Sequence, residues 1–293
     1  MDRVSVVVPA FNEEQSLGEF LPEIIRHCTE KGYELVVVND GSRDGTARIL
    51  AQNTHSDCLR VVHHKLNRGY GGAIKSGIKA ATGQWVITID ADGQHDPSDI
   101  DRMLAEAQRT DADMVVGDRT HHADASLYRG IGKRLIRWFA RILMPIPIKD
   151  INSGMKLYRT DLARRYMGLC PDQMAFSDTI GLVFISQRHL VVELPIDLRP
   201  RSKGQSTIST MTALDTVKEI LNIVILFNPL RVFVPIALMF ITGSMAWAAA
   251  IYIINHRGLS TAAMLGFTTG LLFLFLGLLA EQLSYLRKKG IDD

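Results

Sequence analysis

The stretch WVITIDADGQ, residues 85–94, is a short apolar run that ends abruptly in two carboxylates. Its β-branched side chains predict a buried strand. Asp90 and Asp92, at the end of that strand, suit a hard cation such as Mg²⁺ or Mn²⁺, which takes one or two protein carboxylates and leaves its other positions to phosphate oxygens and water. Because such a metal can neutralise a diphosphate leaving group, the stretch points to chemistry on a nucleotide diphosphate. A plain Asp-Gly turn after a strand is the alternative.

Strand-like and helical segments alternate on both sides of this stretch, which predicts an α/β fold of βαβ units with a parallel sheet. Ligands of such sheets bind beyond the carboxyl ends of the strands. Polar residues at 9–13, 39–42 and 90–92 each follow a predicted strand, so we expect them to converge on one edge of the sheet. The predicted strands are 4–8, 34–38, 59–63, 85–89 and 114–117, and the predicted helices are 13–31, 46–53, 72–81 and 97–109.

Residues 120–206 follow a less regular pattern. A helix is predicted over 129–144 and a strand over 190–196, and a basic loop containing Gly and Pro follows at 199–204. Basic residues on the predicted helix are typical either of phosphate binding or of a solvated or membrane-facing surface. These residues are Arg129, Lys133, Arg134, Arg137 and Arg141.

The last quarter of the chain is strongly apolar. Two uncharged stretches, 232–254 and 259–280, are each long enough as helices, at about 1.5 Å per residue, to cross a hydrocarbon core of about 30 Å. We therefore expect a two-span transmembrane hairpin at 231–293, with a buried hairpin of a soluble protein as the alternative. The basic residues outside both spans predict that the flanks, and the α/β domain at 1–206, face the cytoplasm. An amphipathic segment at 207–230 is predicted to lie in the membrane interface.

Composition limits the remaining classes of protein. The chain has 293 residues, with 33 Lys and Arg against 31 Asp and Glu, and this near-neutral balance argues against a general nucleic-acid binder. Its three cysteines lie far apart, without zinc-ligand or disulfide spacing, as expected of a reduced, cytosol-facing domain. The first residues lead into a strand without the pattern of a signal peptide.

Several segments resemble, in order, the motif set of family 2 glycosyltransferases with the GT-A fold. The resemblance covers about residues 4–206, and it is the order of the motifs that makes it specific. The stretch DINSGMKLYR, residues 150–159, resembles the dolichyl-phosphate mannose synthase and polyprenyl-phosphate glycosyltransferase branch, whose bacterial members have a similar pair of C-terminal spans. The other motifs are VVPAFNEE at 7–14, VNDGSRDGT at 38–46, NRGYGGA at 67–73 and DADGQH at 90–95.

This resemblance implies a nucleotide-sugar site. Asp40 would accept hydrogen bonds from the base, and Asp90, Asp92 and Gln94 would hold Mg²⁺ or Mn²⁺. The sequence leaves open that Asp40 with Gly41 only forms a turn and that Gln94 only faces solvent. The glycine-rich segment at 67–72 does not match the dinucleotide fingerprint, which follows the first strand. Nucleotide-sugar contacts are also implied for Pro9, Ala10, Asn12, Glu13, Gly69, Ala91, Arg201 and Lys203.

The resemblance also implies a site for an acceptor phosphate at Arg119, Arg129 and Lys133, because Arg and Lys are the usual phosphate ligands. Lys133 stands where the family has a serine, or the register shifts by a residue or two. Arg201 and Lys203 lie in a segment that resembles the family's basic loop, which closes on the donor diphosphate.

An acceptor that is a lipid phosphate is already anionic, so it can attack the sugar C1 without a strong base. The protein then supplies positioning and leaving-group stabilisation, and attack opposite the diphosphate inverts the anomeric centre. Asp150 aligns with the family's proposed catalytic aspartate, and Asp178 is the alternative. Either could equally be a structural carboxylate in a cap or an ion pair.

The predicted function is transfer of a hexose, glucose or mannose, from a UDP- or GDP-linked sugar to dolichyl or undecaprenyl phosphate at the cytoplasmic face of a bacterial or archaeal membrane. Homo-oligomerisation stays open. One alternative is a processive polysaccharide synthase, which usually has more spans and an Arg-Trp acceptor motif that does not follow Gln187 and Arg188. A non-catalytic membrane scaffold is the other, and intact Asp40, Asp90 and Asp92 argue against it.

Overall fold

A computed structural model describes residues 3–119, 147–199, 224–225, 228–255 and 260–292. The chain divides into two compact units, one formed by 1–130 with 146–211 and the other by 131–145 with 212–293, and each is described by itself. Some sequence predictions fall outside the described residues. These are the helix at 129–144, the loop residues 200–204, most of the amphipathic segment, and the individual residues Arg129, Lys133, Arg201 and Lys203.

The described part of the first unit alternates strands and helices as expected. The predicted elements are found with bounds that differ by a few residues; α3, for example, begins at Tyr70 instead of Gly72. The elements are β1 Val4–Ala10, α1 Glu14–Lys31, β2 Glu34–Asn39, α2 Thr46–Gln52, β3 Leu59–His63, α3 Tyr70–Ala80, β4 Trp85–Thr88, α4 Ser98–Thr110, β5 Met114–Asp118, β6 Lys156–Arg159, α5 Thr160–Tyr166, α6 Phe176–Ser186 and β7 Val191–Pro195.

The strands form a mixed sheet in the order β3-β2-β1-β4-β6-β5-β7. Neighbouring pairs are parallel except at β6, which runs antiparallel to both β4 and β5. The predicted α/β fold with a mostly parallel sheet is therefore confirmed. The reversed strand was missing from the prediction because β6 has 4 residues and begins with a lysine, which gives no hydrophobic alternation to recognise.

Helices cover both faces of the sheet. On one face, Val6 and Val8 of β1 join side chains of α1, α2 and α4 in one buried core. Because successive side chains of a strand point to opposite faces, Val7 points toward α3 on the other face. A Cβ on Gly77 of α3 would overlap the Val7 side chain, so the glycine allows α3 to pack directly on β1.

The direction of β6 decides what lies at the carboxyl edge of the sheet. The parallel strands β1, β2, β4 and β5 all end at this edge, and β6, being antiparallel, begins there. Thr88 at the end of β4 and Val116 in β5 both pair with Lys156, the first residue of β6. The turn that precedes Lys156 is therefore placed beside the loops that follow the parallel strands.

The described part of the second unit contains two long helices, α7 Leu230–Asn255 and α8 Thr261–Asp292. Within them, the segments Leu230–Ile254 and Thr261–Leu286, with mean hydropathies of 1.9 and 2.1, are long and apolar enough to cross a membrane. Only 6% and 17% of their most apolar windows are buried, whereas a core helix of a soluble protein is mostly buried. Such exposed apolar surface fits a lipid environment.

Small residues allow α7 and α8 to approach each other closely. A Cβ on Gly266 would crowd Ser244, and one on Gly270 would overlap Ile241. The rings of Phe240 and Phe273 stack between the helices with centroids 5.8 Å apart. Contacts through glycine are the usual way in which membrane helices pack, since the hydrophobic effect does not drive their association.

Candidate active site

Asp40, which follows β2, is almost fully buried, with 2% of its surface exposed. Its carboxylate accepts hydrogen bonds from the backbone N–H groups of Arg68 and Gly69, each at 2.9 Å, and lies 2.6 Å from Nδ1 of His64. Nε2 of His64 lies 2.8 Å from the Oγ of Ser76 on α3. Asp40 therefore anchors the loop after β3, in addition to any contact that it makes with a ligand.

The residues that follow β1 interlock with those that follow β2. Asn12 has a left-handed backbone conformation, with φ 55°, and its side-chain oxygen accepts a hydrogen bond from the N–H of Arg43 at 2.8 Å. The N–H of Asn12 donates to Ser42, and the N–H of Glu13 donates to the Oγ1 of Thr46, both at 3.0 Å. Two of the predicted polar clusters are therefore in direct contact.

Pro9 and Ala10, the other two residues predicted in this part of the site, lie in β1, where they pair with Val38 and Asn39 of β2. Both are buried, and the carbonyl of Ala10 accepts a hydrogen bond from the N–H of Asp40 at 2.9 Å. Their backbone therefore forms part of the carboxyl edge of the sheet.

The glycines of the 67–72 segment allow a close approach of protein backbone. Gly69 has a φ of 88°, and a Cβ there would crowd the carbonyl of Asp172. A Cβ on Gly71 would overlap the carbonyl of Pro171. The ammonium of Lys75 donates to the carboxylate of Asp172 at 2.5 Å. This segment thus packs against the loop that precedes α6. Glycine is needed at positions 69 and 71 because a larger residue would overlap that loop.

Asp90 follows β4 and lies among polar side chains. The hydroxyl of Tyr70, the first residue of α3, donates to its Oδ1 at 2.9 Å, and Nε2 of His95 lies 3.9 Å from its Oδ2. Burial opposes ionisation of Asp90, but His95 and Tyr70 outweigh that effect, so the pKa of Asp90 lies below its usual range. Asp90 is therefore held as a carboxylate.

Asp92 and Gln94 form the turn after Asp90. The Oδ1 of Asp92 accepts a hydrogen bond from the N–H of Gln94 at 3.1 Å, and the carbonyl of Gln94 accepts one from the N–H of Arg199 at 2.8 Å. The guanidinium of Arg199 also donates to Glu23 and Asp96. Arg199, the first residue of the basic loop, is thus bound to the turn that carries the predicted metal ligands. Ala91 within this turn is buried.

The turn before β6 meets Asp90 through a glycine. A Cβ on Gly154 would overlap the carboxylate of Asp90, so a larger residue there would displace it. At the start of the same turn, Asp150 accepts two hydrogen bonds from the guanidinium of Arg119, at 2.7 and 3.1 Å, and one from its N–H at 3.2 Å. The predicted catalytic residue Asp150 and the predicted phosphate ligand Arg119 are thus a bidentate ion pair.

Asp178 lies in the first turn of α6, close to the same turn. The amide of Asn152, oriented to satisfy its hydrogen bonds, donates to both oxygens of Asp178, at 2.9 and 3.2 Å. Burial raises the pKa of Asp178 to about 6, and the neighbouring Lys156 only partly opposes this shift. The structure thus places the two predicted catalytic carboxylates, Asp150 and Asp178, close enough for the charge of Asp150 to help raise the pKa of Asp178.

The donor chemistry of Asp90, Asp92 and Gln94 fits a hard divalent cation, because these residues offer carboxylate and amide oxygens at a strand end. Within the described residues, no group of three or more His, Cys, Asp or Glu side chains could hold a metal ion by itself. Such a set fits a cation that takes its remaining ligands from a bound diphosphate and water.

Several polar residues of this edge were not singled out from the sequence. His64 directly follows β3, so the rule that sites lie after strand ends could have found it. His95 belongs to a recognised motif but had no role assigned. Tyr70 and Lys156 also lie in recognised motifs, at 67–73 and 150–159, but had no role assigned.

Two family models match the chain. Glycosyl transferase family 2 matches residues 5–167, and the GtrB C-terminal hairpin matches residues 228–286. The first covers strands β1–β6 except Val4, and the second contains α7 and most of α8. The resemblance stated from the motifs is confirmed, and the match to the hairpin supports membrane anchoring by the second unit.

Similar proteins include two named transferases. A dolichyl-phosphate beta-glucosyltransferase of Dictyostelium discoideum is 30% identical over 205 residues, or 63% of this chain; the match covers 62% of that relative, so the chain spans less than two thirds of it. An undecaprenyl-phosphate 4-deoxy-4-formamido-L-arabinose transferase of Klebsiella pneumoniae is 29% identical over 280 residues, which is 94% of this chain and 77% of the relative.

Solved structures share the fold at low sequence identity. Glucosyl-3-phosphoglycerate synthase from Mycobacterium tuberculosis, in complex with Mn²⁺, UDP and phosphoglyceric acid, aligns with a TM-score of 0.58 and 18% identity over 76% of this chain and 78% of that one. TarS of S. aureus in complex with UDP aligns with a TM-score of 0.54 and 19% identity over 78% of this chain and 65% of that one.

Replacing Asp178 by Asn is expected to stabilise the first unit near neutral pH. Because the pKa of Asp178 is raised from 3.8 to about 6, the folded state binds more protons than the unfolded state between these values, and stability is lost as the pH rises through them. Thermal unfolding at pH 7.5 should give Asp178→Asn a melting temperature about 2–5 °C above that of the wild type, and the difference should vanish near pH 4.

Asp150→Asn is the matched control, because it removes a carboxylate of the same turn that is paired with Arg119. Leaving that guanidinium without its partner should lower the melting temperature at pH 7.5. If Asp178→Asn were destabilising at pH 7.5 to the same extent as Asp150→Asn, the inferred cost of ionising Asp178 would be wrong.

Proposed function

The chain belongs to glycosyl transferase family 2, and we propose that it transfers a hexose from a nucleoside-diphosphate sugar to a polyprenyl phosphate, with inversion at the anomeric carbon. The observation that carries the proposal is the convergence of Asp40, Asp90, Asp150 and Asp178 on the carboxyl edge of a family 2 domain. The same chain carries an apolar hairpin that matches the GtrB family. An acceptor that resides in a membrane fits this combination.

Similar proteins support the same class of acceptor. The relatives from Dictyostelium discoideum and Klebsiella pneumoniae bear dolichyl phosphate and undecaprenyl phosphate in their names. Both names describe the transfer of a sugar to a polyprenyl phosphate. Their sugars differ, so the resemblance supports the acceptor class more strongly than the identity of the donor.

The donor nucleotide is proposed to lie along the loops after β1 and β2. Asp40 fixes the loop at 64–69 beside this site, and one oxygen of its carboxylate, Oδ2, accepts only the N–H of Gly69 among the hydrogen bonds of the described residues. A base N–H could therefore be accepted by Oδ2. Asn12 and Glu13 would border the ribose, and the choice between uridine and guanosine is a matter for experiment.

Asp90, Asp92 and Gln94 are proposed to hold Mg²⁺ or Mn²⁺ together with the donor diphosphate. When bound, the cation supplies positive charge that stabilises the diphosphate leaving group. These residues would supply oxygen ligands, and their neighbours would hold them in position. Tyr70 and Gly154 keep Asp90 in place, and the hydrogen bond from Gln94 orients Asp92.

The acceptor phosphate is proposed to approach from the side of β6. Arg119 would contact it, and Asp150 holds that guanidinium at a defined position. Because the phosphate is already anionic, its oxygen can attack C1 while the diphosphate departs from the opposite face, so no proton has to be removed in the attacking step. Asp178 and Asp150 then shape the acceptor side. Arg129, Lys133, Arg201 and Lys203 stay predictions as further phosphate contacts.

We further propose that α7 and α8 form the anchor, with the first unit at the cytoplasmic face. This orientation rests on the basic residues at the outer ends of the two helices, Arg231 in the first turn of α7 and Arg287, Lys288 and Lys289 near the end of α8. The domain boundaries at 206 and 230, homo-oligomerisation and a bacterial or archaeal source stay predictions.

The proposal is tested by direct transfer. The purified full chain in detergent micelles is incubated with UDP-glucose, UDP-galactose, GDP-glucose or GDP-mannose, each radiolabelled, and with undecaprenyl or dolichyl phosphate in the presence of Mg²⁺ or Mn²⁺. Label should move into the lipid extract for one donor and should depend on the acceptor. Label that enters a growing polysaccharide would favour a processive synthase, and no transfer with any pair would contradict the proposal.

Asp92→Ala is expected to abolish transfer, with a loss of at least about 100-fold, because the diphosphate would lose a ligand of its proposed cation. The melting temperature should change little, since Asp92 lies in a surface turn. Asp161→Ala is the matched control: its side chain is 70% exposed on α5, and its removal should leave transfer unchanged. Near-normal activity of Asp92→Ala would sink the assignment of the cation site.

His64→Ala is expected to weaken donor binding by about fivefold, because loss of one hydrogen bond to the buried Asp40 costs on the order of 1 kcal/mol. Isothermal titration with UDP and with GDP measures this loss without turnover. His55→Ala, which changes an exposed histidine in the same unit, is the control. Unchanged affinity in His64→Ala would mean that the loop anchored by Asp40 does not serve the nucleotide.

A further inference from the structure

Lys156 is a fully buried lysine at the carboxyl edge of the sheet. It is the first residue of β6, and its ammonium is enclosed by oxygen atoms that accept hydrogen bonds. The carbonyl oxygens of Ile151, Ser153 and Ser177 lie at 2.8, 2.5 and 2.9 Å, and the Oγ of Ser177 lies at 2.6 Å. Because every partner is an acceptor, the enclosure suits the charged form with its three N–H donors.

The residues that supply these oxygen atoms are neighbours of Asn152 and Asp178 along the chain. Ile151 and Ser153 stand on either side of Asn152, and Ser177 directly precedes Asp178. Asn152 itself donates to Asp178. The ammonium therefore fastens the turn before β6 to the first turn of α6 and sets the position of Asn152 relative to Asp178.

The charges around Lys156 are mainly negative. Asp178 on α6, Asp150 in the turn and Asp90 after β4 each favour its charged form, whereas Arg119 after β5 opposes it. Lys156 and Arg119 thus face three carboxylates in this part of the edge. A neutral residue in place of Lys156 would leave those three negative charges against Arg119 alone, where the proposed function brings two anionic substrates together.

Burial of a lysine side chain at this position is energetically unfavourable. Burial of an ammonium carries a large desolvation cost, and lysine is among the residues least often fully buried. Burial lowers the pKa of Lys156 to about 8. An apolar side chain would fill the same space without this cost, so packing alone does not account for a lysine here.

We propose that Lys156 is a positioning residue for the acceptor half of the transfer reaction. Its ammonium holds Asn152 and Asp178 in register and offsets the negative charge that would otherwise repel the acceptor phosphate. This inference rests on the proposed function, and it adds a residue that acts through Asp178 and the turn without touching either substrate.

The first test is Lys156→Met, which keeps an unbranched side chain one atom shorter than lysine and removes the charge. With the donor and acceptor that the transfer assay identifies, kcat should fall by about 50-fold or more, while the dissociation constant for UDP or GDP changes by less than about threefold. The wild type should lose activity as the pH rises through about 8, where the ammonium loses its proton. Lys156→Met should lack this alkaline decline.

Tyr158→Phe is the matched control. Tyr158 lies in the same strand and is equally buried, and the change removes its hydroxyl, which lies 3.2 Å from the Oγ1 of Thr88. It perturbs the packing of β6 but leaves the charge at the acceptor side intact, so the alkaline decline should remain as in the wild type. The same decline in Lys156→Met, or an equal loss of donor affinity and kcat, would overturn the proposal.

If Lys156→Met does not fold, Ser177→Ala tests the same proposal. It removes one acceptor of the ammonium and keeps the lysine, so the charged form is less favoured. The alkaline decline should begin at a lower pH than in the wild type, with kcat reduced by about fivefold at pH 7.5. A decline at the wild-type pH in this variant would overturn the proposal.

A double-mutant cycle separates this inference from the proposed function, because it needs no turnover. Lys156→Met should lower the melting temperature at pH 7.5 more in the wild-type background than in the Asp178→Asn background, since only the carboxylate needs the opposite charge. Such coupling in a chain that transfers no sugar would leave the positioning role standing while the proposed function fails. Equal effects in both backgrounds in an active chain would overturn the positioning role alone.

Discussion

The reversal of one strand is the constraint on which the candidate site depends. In a fully parallel sheet, the residues before β6 would lie at the amino edge, far from the loops after β1, β2 and β4. Because β6 pairs antiparallel with β4 and β5, the turn that contains Asp150, Asn152 and Gly154 lies beside Asp90. A glycine is required at position 154, since the backbone of the turn passes against the carboxylate of Asp90. The proposed acceptor side thus depends on the direction of β6 and on the absence of a side chain at Gly154.

A second consequence of this arrangement is that several charges lie close together in buried or partly buried positions. Tyr70 donates to Asp90, Arg119 to Asp150 and Asn152 to Asp178, so each carboxylate has its own donor. Buried charges are tolerated when they are paired and hydrogen-bonded, yet they add less stability than an apolar core of the same volume. The cost that burial places on Asp178 and Lys156 is therefore best understood as a cost of function, since functional sites are where shifted pKa values cluster.

The sequence predicted the parts of the molecule that depend on local pattern. The β-branched runs and the 3.6-residue periodicity located β1–β5 and α1–α4, and the rule that parallel strands end at one edge brought Asn12, Asp40 and Asp90 together before any coordinates were known. The two apolar stretches located α7 and α8. The sequence did not predict β6 and α5, which have 4 and 7 residues, or α6, whose side chains are buried on nearly all sides and so show no polar face. It also did not show that Asp40 is already held by His64, or that Lys156 donates to Ser177 next to Asp178, because these partners lie far apart along the chain.

The candidate site has two parts that differ in how far apart their residues lie along the chain. The proposed donor side consists of the first four strands and the loops between them, so its residues are close in sequence and form recognisable motifs. The acceptor side requires residues beyond 147 to pack back against β4 and β5, and its key contacts join positions such as 119 with 150 and 153 with 177. The two sides meet where Gly154 passes Asp90. A change of acceptor could therefore be accommodated in the turn before β6 and in α6 without altering the donor motifs, provided that this contact is kept. Lys156 lies on the acceptor side of the contact, which is why its loss should affect the acceptor step and spare donor binding.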